Sequence, residues 1–236
     1  MNTTPVILSS LLVASVAFAD SLSFTPSQDA SIMSNDTSVS VGDLFGGFNS
    51  SGQERRPLLQ FDLSSIPTGS TINSVSLTLN AAQMRGTQTF GLHALTTAWT
   101  EGTNTGSGGQ GGIGTAPTPA NSVAWASPWS TPGGDFGVEL DSVFVNSTGD
   151  VVFSTGSLLS AVQGWVDLPS SNLGFILVGA NGAPQNAVRF GSREEGVAPV
   201  LDVDFTVVPE PRFYALTAAA LCLAMVIIRR RAIRSA

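Results

Sequence analysis

Val75-Ser76-Leu77-Thr78-Leu79 alternates apolar and polar side chains without a break. A period of two puts Val75, Leu77 and Leu79 on one face and the hydroxyls on the other, which is the pattern of a strand with one buried side. Outward from this stretch the same kind of segment recurs. Residues 58–63, 90–95, 138–145, 151–154, 187–190 and 201–207 are short β-branched or aromatic runs set between Gly, Pro, Ser, Asn and Asp. Residues 174–178 are continuously apolar and predict a strand buried on both faces. One helix is expected over 158–165, capped by Ser157, with Leu158, Val162 and Trp165 on one face. Many short strands and a single helix predict an all-β sandwich.

The two termini read differently. Residues 6–18 are apolar or small and end in Ala17-Phe18-Ala19 before Asp20, an A-x-A pattern that predicts a cleaved leader over residues 1–19. No Lys or Arg precedes that run, so the terminal amine alone supplies its positive end. At the other terminus Val208-Pro209-Glu210-Pro211 precedes an uncharged apolar run, residues 213–228, and then Arg229, Arg230, Arg231 and Arg234. The prolines hold the linker extended and accessible to a processing enzyme. Sixteen helical residues reach about 24 Å, somewhat short of a ~30 Å hydrocarbon core, and snorkelling arginines close the gap. The Arg cluster stays cytoplasmic under the positive-inside rule, so the transmembrane helix leaves everything before it outside. This order of motif, helix and Arg cluster over residues 208–236 resembles the PEP-CTERM sorting signal of Gram-negative bacteria. The resemblance implies an exosortase as partner, a membrane-anchored stage, and delivery to the cell surface or extracellular matrix.

Between the termini the charge is one-sided. Five arginines (Arg55, Arg56, Arg85, Arg189, Arg193) face all seventeen acidic residues, so residues 20–211 carry a net charge of −12. Nucleic acid is excluded as a partner, because its binding needs clustered cations. There is no Lys, one histidine (His93), and one cysteine, Cys222, inside the apolar tail. An exported domain without disulfides depends on a large core.

A series of strings spans the region between. Residues 56–67 read RPLLQFDLSSIP and residues 69–77 read GSTINSVSL. Trp99-Thr100-Glu101-Gly102, Val162-Gln163-Gly164-Trp165, Asn172-Leu173-Gly174-Phe175, Ser192-Arg193-Glu194 and Pro199-Val200-Leu201 follow in order. Together they resemble the DNRLRE-domain family, a disaggregatase-related group that includes carbohydrate-binding modules, over roughly residues 28–207. The resemblance implies an antiparallel β-sandwich of jelly-roll type over residues 20–207, of the kind found in surface proteins that handle polysaccharide.

Candidate chemistry is limited. Trp125 and Trp129, beside the Gly-, Thr-, Ser- and Pro-rich segment 102–119, are candidates for an exposed platform on which a sugar ring stacks. The alternative is that they turn inward. Trp99 and Trp165 fit core positions. Arg189 and Arg193 can fork onto a uronate carboxylate, or pair with acids of the fold, Arg56 with Glu194 or Asp62 among them. Asp202 and Asp204 alternate on one strand, and Asp36, Asp43, Asp135, Asp141 and Asp150 sit in turn-like segments; no cofactor is expected, solvated charge being the default for these carboxylates, and calcium is the alternative they allow, although no D-x-D-x-D-G loop is present. His93, between Leu92 and Ala94, is expected to be a satisfied surface or half-buried histidine, and Glu101 with Asp135 is the carboxylate pair available to glycoside chemistry. The expectation is a non-catalytic structural or adhesive matrix protein that binds exopolysaccharide. A dedicated polysaccharide-recognition module is the alternative, and a lyase or hydrolase a remote third.

Overall fold

Each segment with period-two or continuous apolar patterning is a strand in the computed structural model, which describes residues 18–106, 108–180 and 182–208 together with Cys222, Met225, Val226 and Arg230. In chain order the strands are β1 (Phe18–Phe24), β2 (Pro26–Met33), β3 (Thr37–Val39), β4 (Leu44–Phe48), β5 (Glu54–Phe61), β6 (Thr71–Met84), β7 (Gln88–Leu95), β8 (Phe136–Val145), β9 (Gly149–Phe153), β10 (Phe175–Gly179), β11 (Val188–Phe190) and β12 (Val200–Val207). The helix α1 (Gly156–Asp167) lies between β9 and β10. The chain divides into two compact units, one of Ala19–Thr206 and one of Met1–Phe18 with Val207–Ala236.

In the larger unit the strands follow one path, β1-β12-β6-β11-β4-β5-β10-β7-β8, with β2 added beside β5, β3 beside β2 and β9 beside β6. Neighbours along β6 and from β4 to β8 pair antiparallel. The alternating stretch is the middle of β6, whose fourteen residues hold β12 along the first half, β9 opposite 77–81 and β11 at the end. Strand β4 is the joint. Leu44 to Gly46 pair with β11, while Gly47 and Phe48 pair with β5. Gly47 makes the switch at φ +83°, and a Cβ there would stand 2.8 Å from the Asn186 carbonyl, so only glycine fits.

The sheet curls over a continuous apolar interior. Phe90 on β7 and Phe190 on β11 have three strands between them along the path, yet their rings pack edge to face at 5.4 Å. Phe61 and Phe175 meet at 6.3 Å, and Trp165 of α1 tilts onto Phe175 at 4.6 Å. Strand β10 lies between β5 and β7 with Phe175, Ile176 and Leu177 fully buried, as its continuous apolar run predicts. Leu158, Val162 and Trp165 form the buried face of α1. The cap differs from the expectation: Thr155, not Ser157, accepts from the Leu158 amide at 3.3 Å, so the helix begins at Gly156.

Residues 18–48 carry no regular alternation, and their four strands are not legible in sequence. Strand β2 is buried along nearly its whole length although it reads PSQDASIM. Its polar side chains turn inward because they find donors there: the Ser31 hydroxyl accepts the Phe45 amide at 2.8 Å. Strand β1 spans the expected leader cleavage point after Ala19.

The tail is described in part. Val208 is exposed, and Cys222, Met225, Val226 and Arg230 are helical and exposed. Among the described residues no helix is long and apolar enough to cross a membrane. Residues 1–17 of the leader, Pro209, Glu210 and Pro211, most of the run 213–228, and Arg229, Arg231 and Arg234 lie outside the described residues.

If the Phe90–Phe190 contact closes the curl, Phe90→Ala should destabilise the protein by about 3–5 kcal/mol. Urea unfolding followed by tryptophan fluorescence measures this; a loss below about 1 kcal/mol would show that the two halves of the sheet do not depend on the contact.

Candidate functional site

Charged side chains in the larger unit converge where β2, the segment after β7 and the turn after β11 meet. Asp29 comes from β2, Glu101 from the segment after β7, and Arg193 with Glu194 from the turn after β11. Nη2 of Arg193 donates to Oε2 of Glu101 at 2.7 Å, its Nε to Oε1 of Glu194, and its Nη1 to the Ser27 carbonyl. The Arg193 amide donates to Oδ2 of Asp29 at 2.9 Å. Burial pushes the Asp29 carboxyl up to about 7, opposed by that amide and reinforced by the charges of Glu194 and Glu101. Burial likewise raises Glu101 to about 7, with the Arg193 charge opposing it. Both exceed the ordinary values of 3.8 and 4.5, so the fold favours the protonated forms, an advantage lost as pH rises through about 7.

A polar ladder runs from this cluster to a cleft. Gln28 accepts the Glu101 amide at 3.2 Å and donates to Gln60, which in turn donates to the Asn172 carbonyl at 2.7 Å. The cleft has a volume of about 580 Å³; Ser27, Gln60, Asp62, Thr68, Trp165 and Asn172 are among its lining residues. The Asn172 amide nitrogen donates to the Phe61 carbonyl at 2.8 Å, whereas its buried side-chain oxygen has no hydrogen-bond partner. The strings around Gln60 and Asn172 are visible in sequence; that they line one hollow with the helix is not, because three distant segments supply it.

The aromatic pair is not a shared platform. Trp129 is 6% exposed, packed with Ala30, Leu58 and Ile176, and its Nε1 donates to the Ala124 carbonyl at 2.9 Å. The exposed reading of Trp129 is therefore corrected: the ring has more to gain from the core than from water. Trp125 is half-buried, and the Arg56 guanidinium lies over its ring at 4.8 Å. Arg56 does not reach Glu194 or Asp62. It forks onto Glu54, Nε at 2.7 Å and Nη2 at 3.0 Å, because the two residues project from the same side of β5. Arg189 pairs with Asp43 at 3.1 Å. Trp99 and Trp165 are buried, as expected.

Described residues of the long segment 102–119 are tied down through the Asn104 side chain and the carbonyls of Gly111 and Gly112. Asn104 is 5% exposed and donates to the Ser38 carbonyl at 2.5 Å, while its side-chain oxygen accepts from Ser40 at 2.9 Å. The buried Arg55 guanidinium donates to the carbonyls of Gly111 at 2.6 Å and Gly112 at 3.3 Å. Gly112 rests on the Phe45 ring, where a Cβ would be 2.6 Å from it.

The turn carboxylates are each engaged. Asp36 accepts from the Ala126 amide, Asp141 from Ser142 and Ser154, and Asp150 from Asn80. Asp202 accepts from Ser23 and Asp204 from Ser74. Asp135 is held below the usual range, at about 2, chiefly by the Ser130 amide and also by the Ser130, Thr131 and Thr97 donors. Glu101 and Asp135 thus belong to different networks. His93 stacks on Phe136 at 4.8 Å with Nδ1 3.0 Å from the Gly137 carbonyl. No family model matches the chain, and no curated protein matches it.

The depressed value of Asp135 sets a pH test. Its stabilisation is present above about 3.8 and lost as pH falls towards about 2. Asp135→Asn should lower the melting temperature at pH 6, and the difference from wild type should shrink between pH 4 and pH 2; a difference that stays constant would show that the turn does not need the charge.

Proposed function

We propose that this is a non-catalytic, exported and surface-sorted protein, a jelly-roll β-sandwich serving as a structural or adhesive component of the extracellular matrix of a Gram-negative bacterium. Residues 208–236 act as an exosortase signal with a transient membrane anchor, and residues 20–207 contact exopolysaccharide. The observation that carries this reading is the inward use of the polar side chains. Arg193, Arg189 and Arg56 each hold a carboxylate of the fold, and Trp129 is part of the core. A protein that commits its cations to its own loops is built for rigidity. The Phe90–Phe190 contact across the curled sheet supports the sandwich. A net charge of −12 over residues 20–211 favours neutral glycan over uronate.

One observation favours the alternative of dedicated polysaccharide recognition. The cleft beside Trp165 offers Gln60, Asp62 and Thr68, and the buried Asn172 oxygen lacks a donor that a sugar hydroxyl can supply.

Affinity electrophoresis of the protein through gels containing neutral or uronate polysaccharide tests both readings. Retardation by neutral glycan that Thr68→Trp abolishes assigns recognition to the cleft; retardation that only Trp125→Ala abolishes assigns it to the half-buried ring. No retardation on any gel removes the glycan from the proposal. The sorting half is tested separately: Glu210→Ala should leave export intact and stop C-terminal processing, seen as retention of the longer form on immunoblots. Unchanged maturation would refute the signal.

A further inference from the structure

One oxygen from each of Asp29, Glu101 and Glu194 lies within 4.8 Å of the other two. These residues are 72 and 93 positions apart along the chain, so the fold alone brings them together. Two of the three carboxylates are deeply buried: Asp29 is 1% exposed, and the Glu101 side chain is 10% exposed. Each has an oxygen with no hydrogen-bond partner, Oδ1 of Asp29 and Oε1 of Glu101. A buried carboxylate oxygen left without a donor or a cation is strongly disfavoured, so such a pair asks for one.

The charge says which kind. When all three carboxylates are ionised, as at the pH 8 of the test below, they face one guanidinium, that of Arg193, which donates to Oε2 of Glu101, Oε1 of Glu194 and the Ser27 carbonyl. The cluster is left with two negative charges uncompensated. A single divalent cation supplies that charge and the missing partners of Oδ1 and Oε1 together. We propose that Asp29, Glu101 and Glu194 form a calcium site, with the ion beside the Arg193 guanidinium. The donors are all hard oxygens, with no His or Cys among them, which disfavours transition metals. Three carboxylates from separate segments around a fixed guanidinium make an irregular set. Calcium, which takes six to eight oxygens at flexible geometry and completes its shell with water, suits it better than magnesium, which demands a near-ideal octahedron. Bound there, the ion ties β2 to the segment after β7 and the turn after β11, the kind of staple that a disulfide-free exported domain otherwise lacks. No glycan is needed for this.

The test uses the full-length protein, stripped with EDTA and studied at pH 8. Terbium, a luminescent stand-in for calcium, should be sensitised by Trp99, two residues from Glu101, and displaced by Ca²⁺ but not by equal Mg²⁺. Added Ca²⁺ should raise the melting temperature. Glu194→Gln, at the more accessible edge of the cluster, should weaken Ca²⁺ binding by about tenfold or more, since removing one ligand charge lowers affinity. Asp202→Asn on β12 should bind as wild type does. The absence of both terbium emission and a calcium-dependent melting shift in the wild type overturns the proposal. So does equal weakening by Glu194→Gln and Asp202→Asn, which marks diffuse attraction to an acidic surface, and so does binding unchanged in both Glu194→Gln and Glu101→Gln.

Discussion

Asp29 is a carboxylate with 1% of its surface exposed, set in a strand buried on both faces, and much of the surrounding structure is arranged to make that position tolerable. A polar group removed from water must recover its hydrogen bonds inside the protein. The Arg193 amide comes to Oδ2 of Asp29, and with it comes the turn after β11. The Arg193 guanidinium then draws in Glu101 and, through it, the segment after β7. The same logic repeats along β2, β3 and the residue after it, where Ser31 accepts the Phe45 amide, Ser38 accepts from the Asn104 side chain and Ser40 donates to it. Long connections in this fold are fixed by buried polar residues that would otherwise lack partners.

Arginine suits this work better than lysine. A planar guanidinium offers five donors in fixed directions and can serve several acceptors at once. Arg55 does so with the carbonyls of Gln53, Gly111 and Gly112, while Arg56 forks onto Glu54 and reaches the Gly133 carbonyl at 2.7 Å. Burial pulls the Arg55 guanidinium down to about 10, still well above neutrality, so it keeps its charge and its geometry. A lysine ammonium has three donors on a mobile stem and could not hold a Gly-rich segment in the same way. The chain contains none.

What could be read from sequence follows from which force shapes each segment. Where hydrophobic burial dominates, the pattern is local and visible: β6, β7, β10, β12 and the buried face of α1 lie where alternation or apolar continuity puts them. Where polar satisfaction dominates, the pattern is non-local. PSQDASIM is a buried strand only because Phe45 and Arg193, 14 and 164 positions away from their partners, supply donors. The site shares this property. Arg193, Glu101 and Glu194 all stand in legible strings, yet Asp29, which makes them a cluster, sits in a stretch with no signal of its own. The direction of Trp129 is hidden for a related reason: a Pro-broken segment gives no periodicity from which a ring's direction can be read, and the apolar residues it packs with, Ala30, Leu58 and Ile176, come from distant strands.

The acidic cluster and the cleft are two ends of one polar ladder, joined through Gln28 and Gln60. This linkage has a physical consequence. Gln28 accepts the Glu101 amide, so any shift of Glu101 towards a cation moves the donor that Gln28 holds, which in turn bears on Gln60 at the cleft wall. Coupling between sites requires such a chain of contacts whose arrangement both ends can bias. A cation that fixes Glu101 and Asp29 would order the Gln28–Gln60–Asn172 ladder before any sugar arrives. Ordering already present in the free protein is ordering that a ligand at the cleft need not supply.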